Sequence, residues 1–378
     1  EEINFEDLTE EDVSKWLREV GQAEFRLKDK EVKILEEQEL DGAGLLSLTT
    51  EEIKEIFPIL GARKRVFRLL EAIRAPVNQS GTSGGSGCGG PMLFGNVPYY
   101  RPQDVKTIKL LGKGGFGEAY LTEIKGFAEK AVLKVPTSKG SFSTDTMREL
   151  KIMCTLKPHP NIIEFIGLVT IDEKVCFMTV YCEKGSLDTC HDKEDLTIEP
   201  RFLGIAHNVS SGLAHLHAQG IIHRDLACRN LLMKANGVVV ICDYGLSTQL
   251  DKRNNFYEMR TSKFPWAWTS PESLTTKKFN PASDIWSLGV TFWEILTEGR
   301  MPYEEELKHS DSATVAKNVA VGDVSLVVPR DTAKRSPFSK KLVIGCLMFD
   351  PDERPSAAKL ARRIEMKLAA IVGHKIRR

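Results

Sequence analysis

Residues 78 to 90 read Asn-Gln-Ser-Gly-Thr-Ser-Gly-Gly-Ser-Gly-Cys-Gly-Gly, and no other stretch limits the fold of this chain more. Ordering so many glycines is costly in backbone entropy, and the segment has almost no apolar surface to bury in return. It reads as a flexible linker over 76–99, so the chain on either side must fold as separate units, a small one over 1–75 and a large one over 100–378. The run Gly81 to Gly87 fits an engineered joint equally well.

Apolar residues make up 42% of the chain and charged residues 28%, a globular balance rather than a disordered or membrane one. The formal net charge is zero, so nothing global attracts nucleic acid, and any charged partner must be met by a local patch. The cysteines are scattered with no CxxC pair, which argues against a disulfide framework or a zinc knuckle and points to a reducing, cytoplasmic setting. No apolar run approaches the ~20 residues that span a bilayer, and no charged-then-apolar leader opens the chain. It starts on Glu1 rather than Met, as an excised segment does.

The small unit reads as short helices. Val13, Trp16, Leu17 and Val20 fall on one face of a 3.6-residue period, and Thr9 with Asp12 forms a capping box at its start. Thr49 with Glu52 marks a second start, and Val66, Leu69, Leu70 and Ile73 share a face after Gly61. Beyond the linker come short β-like runs (Val105 to Leu111, Ala119 to Ile124, Ala131 to Val135, Val175 to Tyr181), then long helical patterns. Phe202, Leu203, Ile205, Ala206, Val209, Leu213 and Leu216 trace one broad face, and Ile285 to Leu296 is apolar nearly all round, as a buried helix would be.

Chemistry-bearing residues follow in a set order. Gly112, Gly114 and Gly117 come after the first strand as Gly-Lys-Gly-Gly-Phe-Gly. Glycines let backbone N–H groups approach phosphate, with Phe116 as a cover, though glycine clusters also build ordinary hairpins. Lys134 lies in the apolar run Ala131-Val132-Leu133-Lys134-Val135, where an unpaired ammonium would be costly to bury. Glu149, in a helical stretch, is its candidate partner; a solvent-facing lysine is the plainer alternative. Then come His223-Arg224-Asp225-Leu226-Ala227-Cys228-Arg229-Asn230, Asp243-Tyr244-Gly245 and Ser270-Pro271-Glu272.

In this order the motifs resemble the eukaryotic protein kinase family over about residues 104 to 375. The fold expected is α+β: a two-lobed protein kinase fold, with a β-rich lobe over 100–179 and a helical lobe over 183–378. The resemblance implies ATP and Mg²⁺, with protein hydroxyls as acceptors. By position, Asp225 orients the acceptor hydroxyl and takes its proton, Asn230 and Asp243 hold Mg²⁺, and Lys134, braced by Glu149, faces the phosphates. Ala119 and Ala131 line the nucleotide site beside the glycines, Thr179 is the gatekeeper, and Val180, Tyr181 and Cys182 form the hinge. Ala227 and Arg229 resemble the tyrosine-kinase form of the loop, and Phe264 to Glu272 resembles the segment that seats a tyrosine. Tyr257 is the implied regulatory phosphosite, with Arg224 to pair the added charge of about −2. Glu272 with Arg354 is the implied bracing ion pair, and Asp284 the anchor of the His-Arg-Asp backbone.

Tyr257-Glu258-Met259, Phe264 to Leu274 and Ser283 to Thr291 look most like Ack-type non-receptor tyrosine kinases. There are departures. Ala119 stands for a valine, Tyr244 for a phenylalanine, Ala267 for a basic residue, and Tyr257 lies one residue nearer Pro265 than the family pattern. None removes a group that contacts metal or phosphoryl. A silent kinase-fold scaffold and a serine/threonine or dual-specificity enzyme are the competing readings. Cys182, Cys228 and Cys242 adjoin the cleft, as small buried hydrophobes or as redox-sensitive thiols.

In the small unit, Trp16-Leu17, Val20-Gly21, Leu40-Asp41-Gly42, Leu45 to Leu48 and Leu60-Gly61 before a basic helix resemble the SAM family, an all-α five-helix domain that often self-associates head to tail. Glu36, Glu37, Glu39 and Asp41 would face Arg63, Lys64, Arg65 and Arg68 of a neighbour in open chains; two merely solvated faces are the alternative.

Overall fold

The computed structural model describes residues 9–21, 27–38, 40, 44–45, 48, 50–57, 62, 66, 70, 97–114, 117–136, 144–172, 174–191, 194–250, 255–259 and 264–376. The chain divides into two compact units, Glu1–Val97 and Pro98–Arg378. The expected linker over 76–96, the cap residue Thr49 and the basic side chains Arg63, Lys64, Arg65 and Arg68 lie outside the described residues, as do Glu39 and Asp41.

In the first unit, helix α1 (Glu10–Trp16) opens on Thr9, whose hydroxyl accepts the Asp12 N–H while the Asp12 carboxylate accepts the Thr9 N–H. The reciprocal bonds satisfy two donors that a helix start leaves open. A π-helical turn, Leu17–Gly21, follows directly, so the α-helical period read across Val13 to Val20 ends at Leu17. Helices α2 (Asp29–Glu36) and α3 (Thr50–Ile56) complete the longer elements described here. Val13, Leu17, Val32, Leu35, Leu45, Ile53, Phe57, Val66 and Leu70 close one apolar cluster, edged by Trp16. Each such side chain, fully buried, stabilises the unit by about 1.5–3 kcal/mol. Glu36, expected on an acidic patch, binds the Arg18 guanidinium at 2.5 Å and the Ser14 hydroxyl at 2.6 Å.

The second unit begins with a six-stranded sheet in the order β1-β5-β6-β4-β3-β2. Its strands are β1 (Tyr99–Tyr100), β2 (Val105–Gly114), β3 (Gly117–Ile124), β4 (Ala131–Pro136), β5 (Phe165–Ile171) and β6 (Lys174–Val180). Only the β1–β5 pairing is parallel. Ala131, Leu133, Val169, Cys176 and Met178 pack one face into a small core. The helical part is arranged around Pro281–Leu296, whose side chains are buried from Ser283 to Leu296. Asn280 caps it by accepting the Ser283 N–H at 3.1 Å, and Pro281 supplies the fixed φ of a first turn. Glu199–Ala218 packs along the last long helix, Ala357–Ile376.

Arg354 ties the start of this arrangement together. Its side chain is fully buried and donates to both Glu272 carboxylate oxygens, at 2.7 and 2.8 Å, and to the carbonyls of Met348, Phe349 and Ala282. Removing the carboxylate would leave a buried guanidinium without its counter-charge. Glu272→Ala is therefore expected to cost about 3 kcal/mol, the low end for breaking a buried pair because Glu272 is partly exposed. Urea unfolding followed by tryptophan fluorescence measures it, and a midpoint unchanged from the wild type would refute the bracing role.

Candidate active site

Strand β4 delivers Lys134, and its Nζ meets the Glu149 carboxylate at 2.6 Å. Glu149 is buried on the helix Thr144–Thr155, and the backbone N–H of Tyr244 also lies against it. Burial alone would lower the Lys134 pKa, but the carboxylates of Glu149 and Asp243 outweigh it and hold the ammonium protonated above its usual range. Lys134 is thus tied to the buried Glu149 carboxylate while part of its side chain stays exposed. Its neighbours across the sheet are Ala119 on β3 and Phe177 on β6, the latter with its ring 5.1 Å below Nζ.

The loop after Ile221–Ile222 carries the second cluster. Arg224 has φ +69°, a left-handed conformation that a bulky residue holds only under constraint. The constraint comes from buried Asp284, whose carboxylate accepts the N–H groups of His223 and Arg224 and the His217 ring nitrogen, each at 2.8 Å. Desolvation pushes the Asp284 pKa up, but His217 and the two backbone donors more than reverse this, leaving it lowered. The loop then presents Asp225. Asn230 donates from Nδ2 to the Asp225 carbonyl at 2.7 Å and carboxylate at 2.9 Å, and Arg229 pairs with the other carboxylate oxygen. Burial raises the Asp225 pKa, Arg229 and His223 oppose this, and Asp243 adds to it.

Asp243 also sits at positive φ, +64°, and accepts the Gly245 N–H at 3.2 Å. Its charge acts on Lys134, Glu149 and Asp225 together, so the two clusters share one electrostatic field. Tyr244, where phenylalanine was expected, is fully buried and bonds the Ile241 carbonyl at 3.1 Å, which satisfies the extra hydroxyl. Among the described residues no group of three His, Cys, Asp or Glu could hold a metal. Asp243 with the Asn230 amide oxygen nevertheless fits Mg²⁺, a hard cation that takes few protein oxygens and completes its shell with water and phosphate.

Gly112 and Gly117 differ in what they accommodate. A Cβ on Gly117, at φ +138°, would strike the Val135 carbonyl, whereas at Gly112 no protein atom lies within 4 Å of the place a Cβ would take. Gly117 is glycine for the fold, and Gly112 has open space beside it among the described residues. Gly114 pairs with Gly117 at the hairpin end, and Phe116 lies outside the described residues. Thr179 and Cys182 are buried and Tyr181 half-buried. The Tyr181 N–H is spent on the Lys130 carbonyl at 2.9 Å, so of the expected hinge donors that one is not open to adenine.

The Arg224 guanidinium lies 4.2 Å from the Tyr257 ring centroid and 4.8 Å from that of Phe279, while donating to the Leu246 carbonyl at 2.7 Å. Cys182, Cys228 and Cys242 carry thiols raised by burial, to about 11 for Cys182, which suits packing rather than nucleophilic reactivity. Sequence reasoning passed over Glu294 and His217, and gave Trp268 no role beyond its place in the Phe264 to Glu272 segment. A glutamate inside an otherwise apolar helix was the available signal, because a buried carboxylate needs donors.

A family profile described as protein tyrosine and serine/threonine kinase matches residues 105–364. Ephrin type-A receptor 5 of Gallus gallus is 38% identical over 261 residues, 68% of this chain and 24% of the receptor. Ephrin type-A receptor 3 of Danio rerio is 35% identical over 271 residues, and ephrin type-A receptor 1 of Homo sapiens 32% over 268, each covering 69% of this chain and 26% of the receptor. The chain thus spans about a quarter of the length of these relatives.

Burial pushes the Glu294 carboxyl up to about 7, against the N–H groups of Trp268 and Cys228, which pull it down. A folded-state value above the unfolded one favours folding fully below the ordinary 4.5, and that contribution is lost as pH rises through about 7. Glu294→Gln cannot ionise. Between about pH 5 and pH 8 the wild-type melting temperature should therefore fall relative to that of the variant. Calorimetry checks it, and parallel curves would contradict the buried-acid account.

Proposed function

We propose how this chain, which belongs to the protein tyrosine and serine/threonine kinase family and carries an ATP-dependent tyrosine kinase domain, performs the transfer of a phosphoryl group to tyrosine. The observation that carries the reading is the pairing of Lys134 with buried Glu149 at 2.6 Å together with that of Asp225 with Asn230 at 2.9 Å. Phosphoryl transfer needs alignment and cancellation of charge more than covalent help, and these side chains supply both.

In this reading Lys134, fixed by Glu149, sets a cation against the nucleotide phosphates, and the backbone around Gly112, Gly114 and Gly117 covers them. Ala119, Ala131 and Thr179 bound the base, with Cys182 and Val180 left as the hinge contacts once Tyr181 is committed to Lys130. Asp225 orients the acceptor hydroxyl and receives its proton, while Arg229 and Asn230 hold that carboxylate in place. Asp243 and Asn230 hold Mg²⁺, which when bound neutralises charge on the transferred phosphoryl. Ala227 where serine/threonine enzymes usually carry a lysine, with Arg229 two residues on, is the loop form that favours tyrosine.

Tyr257 is the regulatory phosphosite of this reading. Arg224 already stands against its ring and would pair with a phosphate there. The Ack-type, non-receptor and cytoplasmic assignments rest on the residues that carry that likeness and on the free cysteines. Among the described residues no helix is long and apolar enough to cross a membrane. The first unit serves as a SAM-type module that raises local concentration by binding copies of itself or another SAM partner, and Tyr257 is then phosphorylated in trans.

Asp225→Asn is expected to lower phosphotyrosine formation on a glutamate–tyrosine copolymer by at least about 10²-fold without changing the melting temperature. Turnover equal to the wild type, or phosphoserine as the product in phosphoamino-acid analysis, would overturn the assignment. Reversing the charge of Arg63 and Arg65 should abolish concentration-dependent oligomers in light scattering, and a wild type that stays monomeric at high concentration would remove the self-association proposal.

A further inference from the structure

One oxygen of the buried Glu294 carboxylate receives two donors from different segments. The Cys228 backbone N–H approaches it at 3.2 Å and the Trp268 indole N–H at 2.7 Å. Cys228 belongs to the loop that carries Asp225, and Trp268 to the segment read above as seating the acceptor tyrosine. The Trp268 ring in turn carries the Arg229 guanidinium, 4.6 Å from its centroid, and Arg229 pairs with Asp225. We propose that Glu294 is a positioning residue for phosphoryl transfer: from beneath the active site it locks the acceptor segment to the catalytic loop through Trp268, and Trp268 aims Arg229 at the Asp225 carboxylate.

Arg229 has need of such a support. Its side chain is partly exposed, and a free arginine there would sample many rotamers, at a cost in entropy to order it. A flat indole under the guanidinium removes most of that freedom, provided the indole itself cannot turn. Three bonds prevent that: the indole N–H to Glu294, the Trp268 carbonyl accepting the Ser287 hydroxyl at 2.7 Å, and the Trp268 N–H to the Pro265 carbonyl at 3.0 Å. Ser287 and Glu294 lie on the same helix as Asp284, so the whole link stands on an element buried from Ser283 to Leu296. The charged and titratable groups facing Glu294 are Arg229, which favours its ionised form, Asp188, which opposes it, and the Cys228 thiol, which is turned to the Thr291 carbonyl. None of these is a metal ligand. The inference rests on Asp225 as the acceptor of the hydroxyl proton.

The test uses the full chain with the glutamate–tyrosine copolymer and compares Trp268→Phe, Glu294→Gln and the double variant, with Asp225→Asn as control. Trp268→Phe keeps a ring under Arg229 but loses the N–H. It is expected to lower kcat about tenfold, the scale of one hydrogen bond to a charged group, with the KM for ATP unchanged. The double variant should be no slower than the slower single variant, because both act through one link. The wild-type profile of kcat against pH should show an acidic limb that Glu294→Gln lacks, since only a carboxylate loses acceptor strength on protonation. Wild-type kcat in either single variant, losses that multiply in the double variant, or superimposable pH profiles would overturn the positioning role. If Asp225→Asn is inactive while Glu294→Gln is unaffected, the positioning role alone falls; if Asp225→Asn turns over normally, the catalytic reading beneath it falls as well.

Discussion

A carboxylate with no exposure to water, Asp284, accepts the N–H groups of His223 and Arg224, and the active site hangs from that contact. It sits one turn into a helix buried along its length, so its position is set by packing on all sides. An anion so placed is costly unless donors surround it, and the donors available are those of the loop bent back at Arg224. The strain of that left-handed residue and the desolvation of the acid are therefore offset by the same bonds.

The same helix governs the loop from a second level. Further along it than Asp284, Ser287 and Glu294 reach the acceptor segment through Trp268, and Glu294 also reaches the Cys228 backbone. Acid and hydroxyl side chains on an otherwise apolar rod thus serve as fixed acceptors for segments with no regular structure of their own. The arrangement keeps mobile-looking loops in register without a sheet to hold them, and it explains why the polar residues of this helix are buried rather than solvated.

The β-rich lobe meets this frame through charge. Lys134 is held by Glu149 across a short ion pair, and both feel Asp243 from the other lobe. Glu149 and Asp225 are paired with Lys134 and Arg229, which leaves the Asp243 carboxylate as the net negative charge that a divalent cation would balance. Arg224, by contrast, lies against two aromatic rings and donates to one carbonyl, with Asp284 contributing favourable charge to it.

Much of this was legible in residue order alone. The α+β class, strands β2, β3, β4 and β6, the buried helix and the pairing of Lys134 with Glu149 followed from periodicity and from the cost of burying a lone charge. Strands β1 and β5 were missed, β1 because two tyrosines after a glycine-rich stretch carry no alternation, β5 because a short apolar run reads equally as helix or strand. The π-helical turn after Trp16 was missed because its side chains keep a helical pattern while the hydrogen bonds shift register. Sequence by itself determined which groups are present, their local elements and the kinase family they spell, because covalent order and side-chain polarity act over a few residues. Only the tertiary structure decided that Glu36 pairs with Arg18, that the Tyr181 N–H is already taken, that Gly117 is required by Val135, and that Glu294 joins Trp268 to the catalytic loop. Each of these depends on a hydrogen bond or a close contact between positions far apart in the chain, and such a distance is set by how the whole core packs.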